Sequence, residues 1–171
     1  MVSHPFEPIG PCLPIEFCRV SRNECLTLVI DEIVGAPCIT YSAIGGFSNL
    51  DSAIENLRVR EGMPRGRGVG FTAPSFGKES ATAVERHRQA VKTGFGAAIW
   101  TALGNNFEEK TSEPFSVKAA IRYLEARNER TLDAALRYIG QAPPEIKTPV
   151  REAVNARWPA HNPGAGQVVS C

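Results

Sequence analysis

The chain has 171 residues, of which 43% are hydrophobic and 22% charged, and a formal net charge of +1. That is one domain's length with enough apolar content for a core, and the near-neutral balance excludes a broad electrostatic surface for nucleic acid or membranes. No apolar run reaches the roughly 18 residues of a membrane span, and Met1-Val2-Ser3-His4-Pro5-Phe6-Glu7-Pro8 lacks the marks of a signal peptide, so a cytoplasmic location is expected.

Residues 1 to 14 hold four prolines and a glycine, which predicts an extended lead-in. Residues 15 to 20 read as a short strand, with Ile15, Phe17 and Arg19 alternating against Glu16 and Cys18. After the turn Ser21-Arg22-Asn23-Glu24, residues 25 to 30 (Cys-Leu-Thr-Leu-Val-Ile) give the strongest strand signal, so the two runs predict a hairpin. A third strand is expected over 38 to 43, closed by Gly45-Gly46.

A helix follows over 48 to 62, opened by a capping box of Ser48 and Asp51 and ended by a left-handed Gly62. Met63-Pro64-Arg65-Gly66-Arg67-Gly68-Val69-Gly70 then resembles a phosphate loop only weakly, because no helix opens after it. A loop into a strand over 69 to 73 fits better, with Arg65 and Arg67 placed to meet an anionic ligand. Residues 79 to 93 predict a helix, with Val84, His87, Val91 and Phe95 on one side, and 97 to 103 a buried, central strand. Residues 104 to 113 read as loop.

From Ser116 the pattern is helical. Val117, Ala120, Ile121 and Leu124 mark one amphipathic helix. Leu132, Ala135, Leu136 and Ile139 mark a second after a break near Asn128, stopped by Pro143-Pro144. Thr148 as N-cap and Pro149 at the first helical position open a third, with Val150, Val154 and Trp158 spaced by four. The expectation is a single domain over 1 to 158 and a flexible tail over 159 to 171.

Five cysteines (Cys12, Cys18, Cys25, Cys38 and Cys171) without a C-x-x-C pair argue against a disulfide framework and a zinc site. They are expected to be reduced thiols, Cys25 and Cys38 acting as small buried hydrophobes. A Cys-His nucleophilic pair would need one of the first four to meet His87. No metal or other cofactor is expected.

The residue of most chemical interest is Glu61. Leu50, Ile54 and Leu57 fall on one helix face, and four residues on that face reaches Glu61. An apolar surround and the negative end of the helix both disfavour an ionised carboxylate there, the setting of a general acid/base. The alternative is a frayed last turn, with Glu61 in water or paired to Arg58 or Arg65.

Two stretches carry a resemblance: Leu13-Pro14-Ile15-Glu16-Phe17-Cys18-Arg19-Val20-Ser21 running into Leu26-Thr27-Leu28-Val29-Ile30-Asp31, and Leu50-Asp51 followed by Asn56-Leu57-Arg58-Val59-Arg60-Glu61-Gly62. With Ala97 to Leu103 and the helical 115 to 158, they resemble a bacterial branch of the gamma-glutamylcyclotransferase-like superfamily, which includes ChaC-like and AIG2-like proteins. The resemblance covers about residues 11 to 158. It implies an α+β fold in which a small mixed sheet curls into a barrel, with a helical C-terminal part. It also implies a glutamate, here Glu61, that shuttles a proton while the substrate's α-amino group attacks its own γ-carbonyl. The products are 5-oxoproline and a free amine.

The family's Tyr-Gly-Ser-Leu loop, which holds the substrate, has no counterpart in this chain. Tyr41 and Ser42, on the third strand, are not its equivalent, and with Arg65 they make up the candidate substrate contacts. The expectation is that the chain begins downstream of that loop, that a homodimer or partner chain supplies the missing strand, or that the protein binds without turnover. Two functions therefore compete: a metal-free enzyme on a gamma-glutamyl amine or peptide, and a non-catalytic module that binds a small anion or pairs with another chain. A helical interaction module over 115 to 158 is the weaker third, since its apolar stripes are explained as core.

Overall fold

The computed structural model describes residues 7–43, 45–63, 68–72, 79–90 and 97–161. In chain order the elements are β1 (Cys12–Val20), β2 (Leu26–Ile30), β3 (Ala36–Ile39), α1 (Leu50–Arg60), β4 (Val69–Thr72), α2 (Glu79–Ala90) and β5 (Ala98–Thr101). They continue as α3 (Phe107–Thr111), α4 (Val117–Glu125), α5 (Glu129–Gly140), α6 (Pro149–Arg157) and a 3-10 turn, Pro159–His161. The class is α+β, with a three-stranded sheet ordered β2-β1-β3 and a two-stranded sheet of β4 and β5. Among the described residues no barrel closes. None of the described helices is long and apolar enough to cross a membrane.

The chain divides into two compact units: residues 1–13 with 39–103, and residues 14–38 with 104–171. In the first, α1 and α2 pack on the β4–β5 pair. Gly70 lies opposite Trp100, and a Cβ on Gly70 would stand 2.5 Å from the indole. Glycine is what lets the ring lie against the strand. The expected central, fully buried strand at 97 to 103 is instead four residues paired with β4, and only half-buried. Its apolar run covers a two-stranded sheet, which has no interior position to fill.

In the second unit, β1 and β2 form the expected antiparallel hairpin, with Ile15 opposite Ile30 and a register shift between Phe17 and Arg19. Its turn places Glu24 at φ 58°, the left-handed region usually given to glycine. The alternation expected along β1 does not hold. Ile15, Glu16, Phe17 and Cys18 are all buried, because the strand is central in its sheet and covered on both faces.

Four helices complete this unit. Ser116, Asn128 and Thr148 cap α4, α5 and α6, their side chains accepting from the amides of Ala119, Thr131 and Arg151. The boundaries follow from that chemistry, since each cap satisfies a donor the first helical turn leaves open. Ala119, Ala120 and Leu124 of α4, Ala135, Leu136 and Ile139 of α5, and Val150 and Val154 of α6 form the core. The segment read as loop over 104 to 113 contains α3, anchored by a fully buried Phe107 that packs edge-on against Phe115 and Tyr123. Pro159–His161, expected within a flexible tail, is a defined turn beyond α6.

Two charged side chains are buried in this unit. Glu16 of β1 is 0% exposed. Its carboxylate accepts from the Phe17 amide at 2.6 Å and from the Val150 amide at 3.2 Å, and it is hydrogen-bonded to the Thr148 side chain. The anion thus sits at the N-terminus of α6, where open amides and the helix dipole favour negative charge. Arg151 does the converse. Its guanidinium donates to the carbonyls of Ile146 at 2.7 Å, Ala142 at 2.5 Å, Gly140 at 3.4 Å and Pro143, gathering the acceptors that follow α5.

Burial raises the Glu16 pKa above the ordinary glutamate value, opposed by the bonds from Thr148, Phe17 and Val150. With the folded value raised, the native state holds more protons than the unfolded one in the weakly acidic range. Stability therefore falls as pH rises through that window and then levels off, at a slope of at most about 1.4 kcal/mol per pH unit. Glu16→Gln should lack this slope, so unfolding midpoints over about pH 4 to 8 should show the wild type losing ground to the variant as pH rises. A constant gap would mean that Glu16 titrates normally. Arg151→Met should cost about 2–4 kcal/mol in denaturant unfolding, because buried carbonyls lose their donors. A loss under about 0.5 kcal/mol would show that those carbonyls find other donors.

Candidate functional site

The C-terminus of α1 is built by local rules. The cap at its other end is Asn49, one residue later than Ser48; its side-chain oxygen accepts from the Ser52 amide at 2.8 Å. Asn caps as well as Ser, so the sequence offered two adjacent candidates. At the C-terminus the Gly62 amide donates to Val59 at 3.1 Å and the Met63 amide to Arg58 at 2.9 Å, with Gly62 at φ 64°. These two crossed bonds make a Schellman cap, with Glu61 as its C-cap residue. Arg58 pins the turn further, donating to the Met63 carbonyl at 2.6 Å and to both oxygens of Glu55.

Glu61 is not on the buried stripe. Its side chain is 40% exposed and its carboxylate accepts from Arg60 at 3.0 Å. The stripe runs through Ala53 and Leu57, then passes over the cap to Met63, which is 5% exposed. A Schellman cap brings the residue after the glycine back onto the helix's apolar face, and Glu61 is turned outward. Glu61 stands part-exposed rather than in the expected apolar surround, and among the described residues its cationic partner is Arg60 and not Arg58.

Tyr41 and Ser42 lie in the same unit as Glu61. Tyr41 is half-buried, and Ser42 exchanges two backbone hydrogen bonds with Glu7 across an antiparallel bridge. Arg65 and Arg67 lie outside the described residues. The glycine pattern that resembles a phosphate loop is used differently at Gly70, whose open side is filled by Trp100. What remains is a part-exposed carboxylate on a Schellman-capped turn, paired with Arg60.

Sequence reasoning missed a second feature, in the other unit. Glu129, Arg130, Leu132, Asp133, Leu136, Trp158 and His161 line an open groove of about 400 Å³. Asp133 is paired with Arg137, and with His161 at 3.3 Å. The Arg137 hydrogen bond, aided by His161, holds the Asp133 carboxyl below its usual value. The Asp133–Arg137 pair is legible as a one-turn spacing, whereas the approach of His161 depends on the turn after α6. Among the described residues no cluster of His, Cys, Asp and Glu could hold a metal ion.

Cys12, Cys18 and Cys25 are free thiols, and the Cys38 thiol donates to the Lys147 carbonyl at 3.6 Å. Cys18 and Cys38 are buried as small hydrophobes, Cys25 is half-buried and Cys12 exposed. Burial, with Asp31 and Glu16 nearby, pushes the Cys18 thiol up to about 12, so it stays protonated and inert. Compared with family models, curated proteins and solved structures, the chain matches none of them.

Gly62→Ala isolates the cap. Among the described residues, its chain neighbours aside, no atom lies within 4 Å of a Cβ placed there, so the expected penalty is that of the left-handed backbone, about 1 kcal/mol of unfolding free energy. An unchanged midpoint would mean that Gly62 does not hold that conformation. Brief native-state alkylation read by mass spectrometry should modify Cys12 ahead of Cys25, and leave Cys18 and Cys38 intact until denaturant is added. Early labelling of Cys18 would contradict its burial.

Proposed function

We propose that the chain is a gamma-glutamylcyclotransferase-like enzyme that releases 5-oxoproline from a gamma-glutamyl amine or peptide. In this reading the substrate's α-amino group attacks its γ-carbonyl. Glu61 takes the proton from that nitrogen and returns it to the departing amine, so no metal or other cofactor enters the step. The support is the resemblance over residues 11 to 158, whose curled sheet is part of the proposal. The observation that carries it is the placement of Glu61 on a Schellman-capped turn with its carboxylate open to a ligand. A general base needs reach to the proton it abstracts, and an apo site tightens only around substrate. Tyr41, Ser42 and Arg65 are the substrate contacts of this proposal.

A second reading has an observation of its own. Arg60 already occupies the Glu61 carboxylate at 3.0 Å, which suits a surface glutamate in a protein of the same fold that binds a small anion or another chain without turnover. An exposed pair of this kind contributes about 0–1 kcal/mol, so it does not lock the carboxylate away from substrate.

One assay separates the two: 5-oxoproline release by the purified chain across a panel of gamma-glutamyl amines and dipeptides. The enzyme reading expects turnover in the wild type and a loss of about 10²–10⁴-fold in Glu61→Gln. The variant's stability should stay within about 0.5 kcal/mol of the wild type, since the side chain is solvated. Turnover retained in Glu61→Gln would remove Glu61 from the chemistry. No 5-oxoproline from any substrate would overturn the enzyme reading in favour of the binding module.

A further inference from the structure

No further inference is drawn: the strongest candidate, the open groove between α5 and the turn after α6 floored by Leu132, Leu136 and Trp158, carries acidic and basic groups in balance along its rim, and nothing in the structure shows what covers it.

Discussion

The second unit depends on two buried charges that are answered by helix ends. Glu16 meets the amide end of α6 and Arg151 meets the carbonyls that follow α5. A buried ion is tolerated only where dipoles replace its lost water, and helix termini supply such dipoles already oriented. The sign of each charge then selects which end of which helix can approach it. The connection over 141 to 148 is held from both sides, with Thr148 both capping α6 and bonding to Glu16. Apolar packing of Leu124, Leu136, Ile139 and Val150 supplies the larger driving force, but it is non-directional. The ionic contacts fix which strand lies against which helix end.

The first unit applies helix-end chemistry locally. At α1 the cap turns Glu61 away from the core and folds Met63 into it. The same two bonds that end the helix therefore decide whether this carboxylate is a core residue or a surface group. A rigid turn of this kind suits a chemical role because it presents the side chain without spending loop entropy on each encounter. It equally suits a surface pair, which is why turnover, rather than geometry, separates the two readings.

Much of the secondary structure could be read in advance wherever one residue carries the signal. Ser116, Asn128 and Thr148-Pro149 name three helix starts by their own side chains, and Gly62 names a helix end. The β-branched run from Leu26 to Ile30 names its strand. What could not be read depends on partners remote in sequence. Glu16 looks like the polar half of an alternating strand, because the amide that stabilises its burial lies 134 residues away. Glu61 fits an ideal helical repeat, but the helix ends one residue before it. Phe107 anchors a five-residue helix too short for any periodicity to show.

The division of the second unit into two stretches, 14–38 and 104–171, means that its contacts join parts of the chain far apart in sequence. A chain made from its N-terminus delivers the β1–β2 hairpin early, while the residues that cover β1 do not yet exist. Joining the stretches means closing a loop over the intervening 39–103, an entropic step that grows slowly with length but precedes any gain from the contacts it allows. Until α6 arrives, Glu16 must stay hydrated, so the hairpin cannot bury both faces of its central strand ahead of time. Its ionised carboxylate keeps a nascent apolar strand in water and guards it against premature pairing, as an inward-pointing charge guards an unfinished sheet. The residue bonded to the start of α6 is thus also one whose charge disfavours burying the hairpin before that helix is present.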